Sequence, residues 1–225
     1  MNNDSFNSAL KAKIGQVFTQ FKSQSITAEQ LAIAEEGFVF SEVNPQAKIL
    51  VMGINPSLRN DFVSSNGYSY NYDHLSTDRY FKKFSTLLKD FEQFGITYCD
   101  LFYQRHTEQK QIEHFLKDEN GRDFLKNQLA ITKEVIEHIS PELILLFNRK
   151  GAMFFSKEWI GYRLEQQAQQ EPHFEQIDDL YNINELETLI YCSSFLGYRT
   201  RKETYTRIYN DIALLIKSVT RFLKN

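Results

Sequence analysis

The sequence predicts an α/β fold in three layers, a parallel four-stranded sheet flanked by helices. Short, mainly apolar runs at 48–52, 96–102, 143–147 and 189–192 each lie beside a turn former. The segments between them carry an apolar residue at every third or fourth position, the helical period. The runs themselves do not alternate with polar residues, as expected of strands buried on both faces of a parallel sheet.

The chain opens on a helical pattern in which Phe6, Leu10, Ile14, Val17 and Phe21 recur on one face. Thr27 precedes Gln30 at capping-box spacing and opens a short second helix that ends near Gly37. Lys48-Ile49-Leu50-Val51-Met52 is the first strand, and Pro56 ends it. The loop 57–76, rich in Asn and Tyr, is longer than a mere connection. Tyr80, Phe81, Phe84, Leu87, Leu88 and Phe91 then share a helix face that stops at Gly95, a core face rather than a binding box. Residues 96–102 are the second strand. The next helix points Phe124, Leu125, Leu129, Ile136 and Ile139 inward, and Pro141 resets the chain. Residues 143–147 are the third strand and 151–155 begin a short helix. A polar stretch, 166–185, leads to the fourth strand at 189–192. The last helix carries Tyr205, Ile208, Ile212, Leu215, Val219 and Phe222 on one face. Crossovers in such a sheet are right-handed, and ligands collect beyond the strands' carboxyl ends. Segments 53–57, 100–107 and 193–202 should therefore line one cleft.

A length of 225 residues suits one large domain. Hydrophobic residues at 42% supply a core, and 19 Phe with 12 Tyr supply flat surfaces that can stack on rings. No run approaches the ~20 apolar residues of a membrane span, so no membrane partner is expected. The opening residues are polar and lack a leader's basic-then-apolar pattern, which predicts a cytoplasmic protein. Cys99 and Cys192 have no paired spacing, and His74, His106, His114, His138 and His173 are scattered. Neither a disulfide, a metal site nor a cofactor is expected, and both thiols read as buried small hydrophobes. Walker, Gly-x-Gly-x-x-Gly and Gly-x-Ser-x-Gly motifs are missing, which weighs against nucleotide, dinucleotide and triad chemistry. A net charge of −3 counts against non-specific coating of a duplex but leaves room for a local basic patch.

Chemistry-bearing residues gather after the strands. Gly53 permits close backbone approach, Pro56 stiffens the turn, and Asn55 between them offers one acceptor and two donors. On spacing alone, an Asx-type turn residue is the better reading of Asn55. Asp100 reads equally as a cleft carboxylate, able to bind a base N–H or act as a general base, and as a surface-loop cap. Arg105, with Thr107 and Lys110, reads first as a solvated charge run.

The run Lys48-Ile49-Leu50-Val51-Met52-Gly53-Ile54-Asn55-Pro56-Ser57 resembles the first motif of the mismatch-specific thymine/uracil branch of the uracil-DNA glycosylase superfamily. Gly95-Ile96-Thr97 with Arg105 and Thr107 is similar to that branch's second motif once one extra residue is admitted. The resemblance implies a single glycosylase-like domain over 1–225, with 1–45 a helical N-terminal extension outside it. It implies that DNA is the partner and that an N-glycosidic bond is hydrolysed. Asn55 would position the attacking water and Asp100 would assist. Gly53, Ile54, Pro56 and Ser57 would grip the base, with Phe62, Tyr68, Tyr70 and Tyr72 as candidate stacking platforms. The alternation of those three tyrosines reads equally as a strand or an ordered surface loop.

At the fourth strand the chain departs from that pattern. The family places a His-Pro-Ser or Asn-Pro-Ser turn there, whereas this chain has Cys192-Ser193-Ser194-Phe195-Leu196-Gly197-Tyr198-Arg199. Ser193 and Ser194 can donate to a phosphate but cannot stabilise a base anion as an imidazole would. A non-catalytic nucleic-acid or nucleobase binding module on the same fold is the alternative, and an unrelated flavodoxin-like domain is a third reading. Arg199, Arg201 and Lys202 lead the last helix, where cations oppose the macrodipole and a phosphate partner would explain them.

Overall fold

The computed structural model describes residues 3–58, 68–71, 81–166, 177, 179–196 and 200–222, without the side chains of 68–71, 109 and 218–222. Its main sheet has six strands where four were expected. The four anticipated strands are β2 (Ile49–Gly53), β4 (Ile96–Asp100), β5 (Leu143–Leu146) and β8 (Thr188–Cys192). They lie side by side in the order β4-β2-β5-β8, all parallel. Beyond β8 the sheet continues through β7 (Leu180–Ile183) and β6 (Leu164–Gln166), paired antiparallel to β8 and to β7 respectively. A separate parallel pair joins β1 (Val39–Glu42) to β3 (Tyr68–Asn71). The architecture is therefore α/β with a mixed sheet.

Alternate residues of the parallel strands feed two apolar clusters, which is why their sequences show no hydrophobic–polar alternation. Leu50, Met52, Cys99, Ile144, Leu146, Ile190 and Cys192 share one cluster with α1 (Asn3–Lys22), α2 (Ala28–Glu35) and α5 (Glu119–Ile139). Ile49, Val51, Tyr98, Leu143, Leu145 and Tyr191 share the other with α3 (Phe81–Leu88) and α6 (Lys202–Phe222).

The anticipated helices form, with local causes visible. Thr27 caps α2, accepting from Gln30 N while the Gln30 side chain accepts from Thr27 N. Asp118 caps α5 through Gly121 N, after the short α4 (Glu113–Leu116). The helix expected to run to Gly95 tightens after α3 into a 3₁₀ segment, Lys89–Phe94, and Gly95 at φ 67° turns the chain into β4. Residues 3–45 pack into the common core: Phe21 of α1 stacks on Phe124 of α5 with centroids 4.0 Å apart, and Phe18 meets the same ring edge-on at 5.0 Å. Both cysteines are buried.

Two joints place the carboxyl edge of the sheet. Val39 N donates to Tyr103 O, and Phe38 bridges Gln104, so β1 flanks the chain leaving β4. After β5, the 3₁₀ segment Arg149–Phe155 begins at Asn148, whose side-chain oxygen accepts from Lys150 N.

Candidate functional site

Because β2, β5 and β8 run parallel, Asn55 and Ser193 leave the sheet at the same edge, with only β5 between their strands. At ordinary strand spacing those two strands lie roughly 10 Å apart. Asp100 is even nearer the turn, since it pairs in register with Gly53.

The chain leaving β2 and the chain leaving β4 stay zipped together past the sheet. Leu101 N donates to Gly53 O at 3.0 Å, Phe102 N to Ile54 O at 2.9 Å, and His106 N to Pro56 O at 3.2 Å. Thr107 Oγ1 donates to Leu58 O at 2.9 Å. Asn55 adds a side-chain rung: its Nδ2 donates to Pro56 O and to His106 O, both at 2.9 Å. Two carbonyls therefore hold the carboxamide nitrogen, which fixes which way the amide faces. Among the described residues no hydrogen bond reaches Asn55 Oδ1, and the side chain is half-buried, so the turn presents one fixed acceptor. The Asx-turn reading is therefore corrected: the side chain bonds through its nitrogen to Pro56 O and across to His106 O, and no bond from Ser57 N to Oδ1 forms among the described residues.

Gly53 has a different task from the ligand approach read from sequence. A β-carbon there would sit 2.2 Å from Tyr98 Oη and 2.3 Å from Asp100 Oδ1. The space above its Cα belongs to that pair, in which Tyr98 Oη donates to Asp100 Oδ1 at 2.8 Å. Asp100 is 5% exposed, so it is not a surface-loop cap; its carboxylate lies under Tyr98 at the end of β4. Ile54 and Pro56 are buried, Ile54 within the core, and Ser57 is exposed. With the carbonyls of Gly53, Ile54 and Pro56 engaged, Asn55 Oδ1 is the acceptor the turn presents among the described residues.

Arg105 corrects the expectation of a solvated charge run: it is buried, with a guanidinium nitrogen 3.5 Å from Glu36 O. Lys110 is exposed and pairs with Glu108 at 2.8 Å. Ser193 is buried, its N–H bound to Leu146 O and its hydroxyl donating to Ser194 O at 3.1 Å, so that hydroxyl is turned toward its own chain. The Ser194 hydroxyl oxygen is buried and has no partner among the described residues. Phe195 stands half-exposed in the same turn. Arg201 and Lys202 are exposed at the start of α6, where Arg201 O accepts from Tyr205 N. Arg199, Phe62 and Tyr72, and the side chains of Tyr68 and Tyr70, lie outside the described residues.

Sequence reasoning passed over two residues of the segment beyond β4. Gln104 is completely buried and neither of its amide atoms finds a partner among the described residues. His106 is 3% exposed; its Nδ1 lies 3.1 Å from Glu108 O, and its Nε2 is buried without a partner among the described residues. Burial pulls the His106 pKa down to about 4, so the ring is neutral at pH 7, with its hydrogen on Nδ1 facing the Glu108 carbonyl. The sequence signal was available: three consecutive polar residues, Gln104-Arg105-His106, after the apolar Leu101-Phe102-Tyr103 that leaves β4.

Burial also pushes the thiols up, Cys192 to about 12, which leaves them protonated and unreactive. Among the described residues no group of three or more His, Cys, Asp or Glu could hold a metal ion. Among the same residues no helix is long and apolar enough to cross a membrane. Compared with known proteins, the chain matches no family model and no curated protein.

Proposed function

We propose that this chain is a glycosylase-like protein that acts on, or binds at, the N-glycosidic bond of a nucleobase in DNA. The observation that carries the reading is the fixed carboxamide of Asn55, whose nitrogen is tied to two carbonyls while its oxygen remains an acceptor at the sheet's carboxyl edge. An acceptor held there can take one hydrogen of a water and aim its lone pair at an anomeric carbon, a saving in orientation entropy. The base, drawn out of the stack, would meet the turn's N–H groups, and cations at the start of α6 would meet phosphates. The motif resemblance at 48–57 points the same way.

A second reading, the binding module without chemistry, is favoured by one observation. The turn after β8 carries neither imidazole nor carboxamide, and the Ser193 hydroxyl is spent on Ser194 O. A departing base anion would then lack a partner on that side.

Cleavage of oligonucleotides bearing uracil, mismatched thymine or hypoxanthine, developed with alkali, separates the two. Enzyme activity predicts strand breaks that disappear in Asn55→Ala. Binding without breaks supports the module, and neither binding nor breaks rejects both readings. Because Asn55 makes two hydrogen bonds, Asn55→Ala should also cost about 1–3 kcal/mol of stability. The variant must therefore be assayed where unfolding experiments show it folded.

A further inference from the structure

We propose that His106 is the positioning residue of this site: its ring fixes the loop whose carbonyl holds the Asn55 carboxamide in place. The inference rests on the reading of Asn55 as a water holder and names what keeps it aimed.

His106 meets the Asn55 turn on both sides of its own backbone, donating from N to Pro56 O and accepting at O from Asn55 Nδ2. Its ring closes a third link, Nδ1–H to Glu108 O. That link spans the two peptides between His106 and Glu108 and restrains the torsions that aim the His106 carbonyl. Glu108 is itself anchored, because Glu108 and Gln111 exchange a reciprocal capping pair at the head of the 3₁₀ segment Gln109–Ile112. Thr107, between the two, is tied across to Leu58. The ring thus connects the Asn55 amide to a rigid turn through one carbonyl on each side. Reversing the amide would set Asn55 Oδ1 against two carbonyl oxygens, so the His106 carbonyl also enforces which atom faces outward. Arg105, one residue earlier, reaches Glu36 O.

The test reads Asn55 directly. In ¹⁵N-labelled protein the Asn55 side-chain amide is identified by its disappearance in Asn55→Ala, and its hydrogen exchange is measured. His106→Leu should speed that exchange about tenfold, the scale of one net hydrogen bond lost. It should also lower turnover on the cleavable oligonucleotide, with KM little changed. His106→Asn, which carries an N–H donor where Nδ1–H stood, should restore slow exchange and turnover. His106→Gln fills similar space but carries its amide near the Nε2 position, and it should behave like His106→Leu even if the latter fails to fold. Unchanged exchange in both Leu and Gln variants, or no recovery in His106→Asn, overturns the proposal. Exchange decides the matter even where no oligonucleotide is cleaved, so failure of the positioning role and failure of the glycosylase reading give different results.

Discussion

A β-carbon on Gly53 would collide with both partners of the Tyr98–Asp100 hydrogen bond, so Gly53→Ala must displace a buried tyrosine or a buried carboxylate. Overpacking of this kind costs about 1–3 kcal/mol. Denaturant unfolding should show that loss for Gly53→Ala, and a smaller one when Tyr98→Phe removes the hydroxyl first. Equal losses in the two backgrounds would mean that the tyrosine hydroxyl is not what excludes a side chain there. His106 gives a second measurable consequence. Its pKa lies at about 4 in the folded chain against an ordinary 6.5, so the unfolded chain binds the proton first as pH falls. The neutral ring's contribution is complete above pH 6.5 and is lost progressively towards pH 4. The gap corresponds to about 3 kcal/mol at most. Stability measured by urea titration should fall over that window in the wild type and fall less in His106→Asn. A parallel pH profile for the two proteins would show that another group titrates.

Elements were legible wherever one period dominated the sequence. The 3.6-residue stripes of α1, α5 and α6 and the apolar runs of β2, β4, β5 and β8 correspond to single, uninterrupted pieces of structure. The antiparallel β6 and β7 escaped because their residues mix polar and apolar side chains. The β7–β8 hairpin has no Gly or Pro in its turn, closing instead with Glu187 at φ 53°. A residue with a Cβ rarely adopts that conformation, so the usual glycine signal was missing and Asn184 was the one turn former in the loop. The short β1 was hidden by its length, and its partner β3 lies where the alternating Tyr68, Tyr70 and Tyr72 read equally as a strand and as an ordered loop. The N-terminal stripe was visible as a helix, but its partner was not. Phe18, Phe21 and Phe115 all gather on Phe124, joining α1 and α4 to α5. Phe124→Ala should therefore cost about 3–5 kcal/mol, the range for deleting a large buried aromatic. Thermal or urea unfolding measures it, and a loss below about 1 kcal/mol would mean that the neighbouring rings close the gap.

At the scale of the molecule, the candidate site was legible as a place before it was legible as chemistry. Parallel order brings Asn55, Asp100 and Ser193 to one edge, as a parallel sheet requires. Which atoms are committed is set by contacts no spacing reveals: Tyr98 over Gly53, His106 behind Asn55, and Ser193 turned onto Ser194. The same edge holds the start of α6, where Arg201 and Lys202 are exposed in a chain of net charge −3. A helix N-terminus carries partial positive charge, so cations there are unfavourable unless an anion joins them. If DNA is that anion, each phosphate contact releases counterions, and the logarithm of affinity falls linearly with the logarithm of salt. Removing both cations with Arg201→Ala and Lys202→Ala should weaken binding equally across DNA sequences and reduce the salt slope by about two. The measurement is affinity for one oligonucleotide duplex and one single strand across a salt series, wild type against the double variant. Identical slopes would assign the pair to solvent and leave the DNA reading to the 48–57 motif. A slope reduced on only one of the two substrates would identify the strand form that crosses the carboxyl edge.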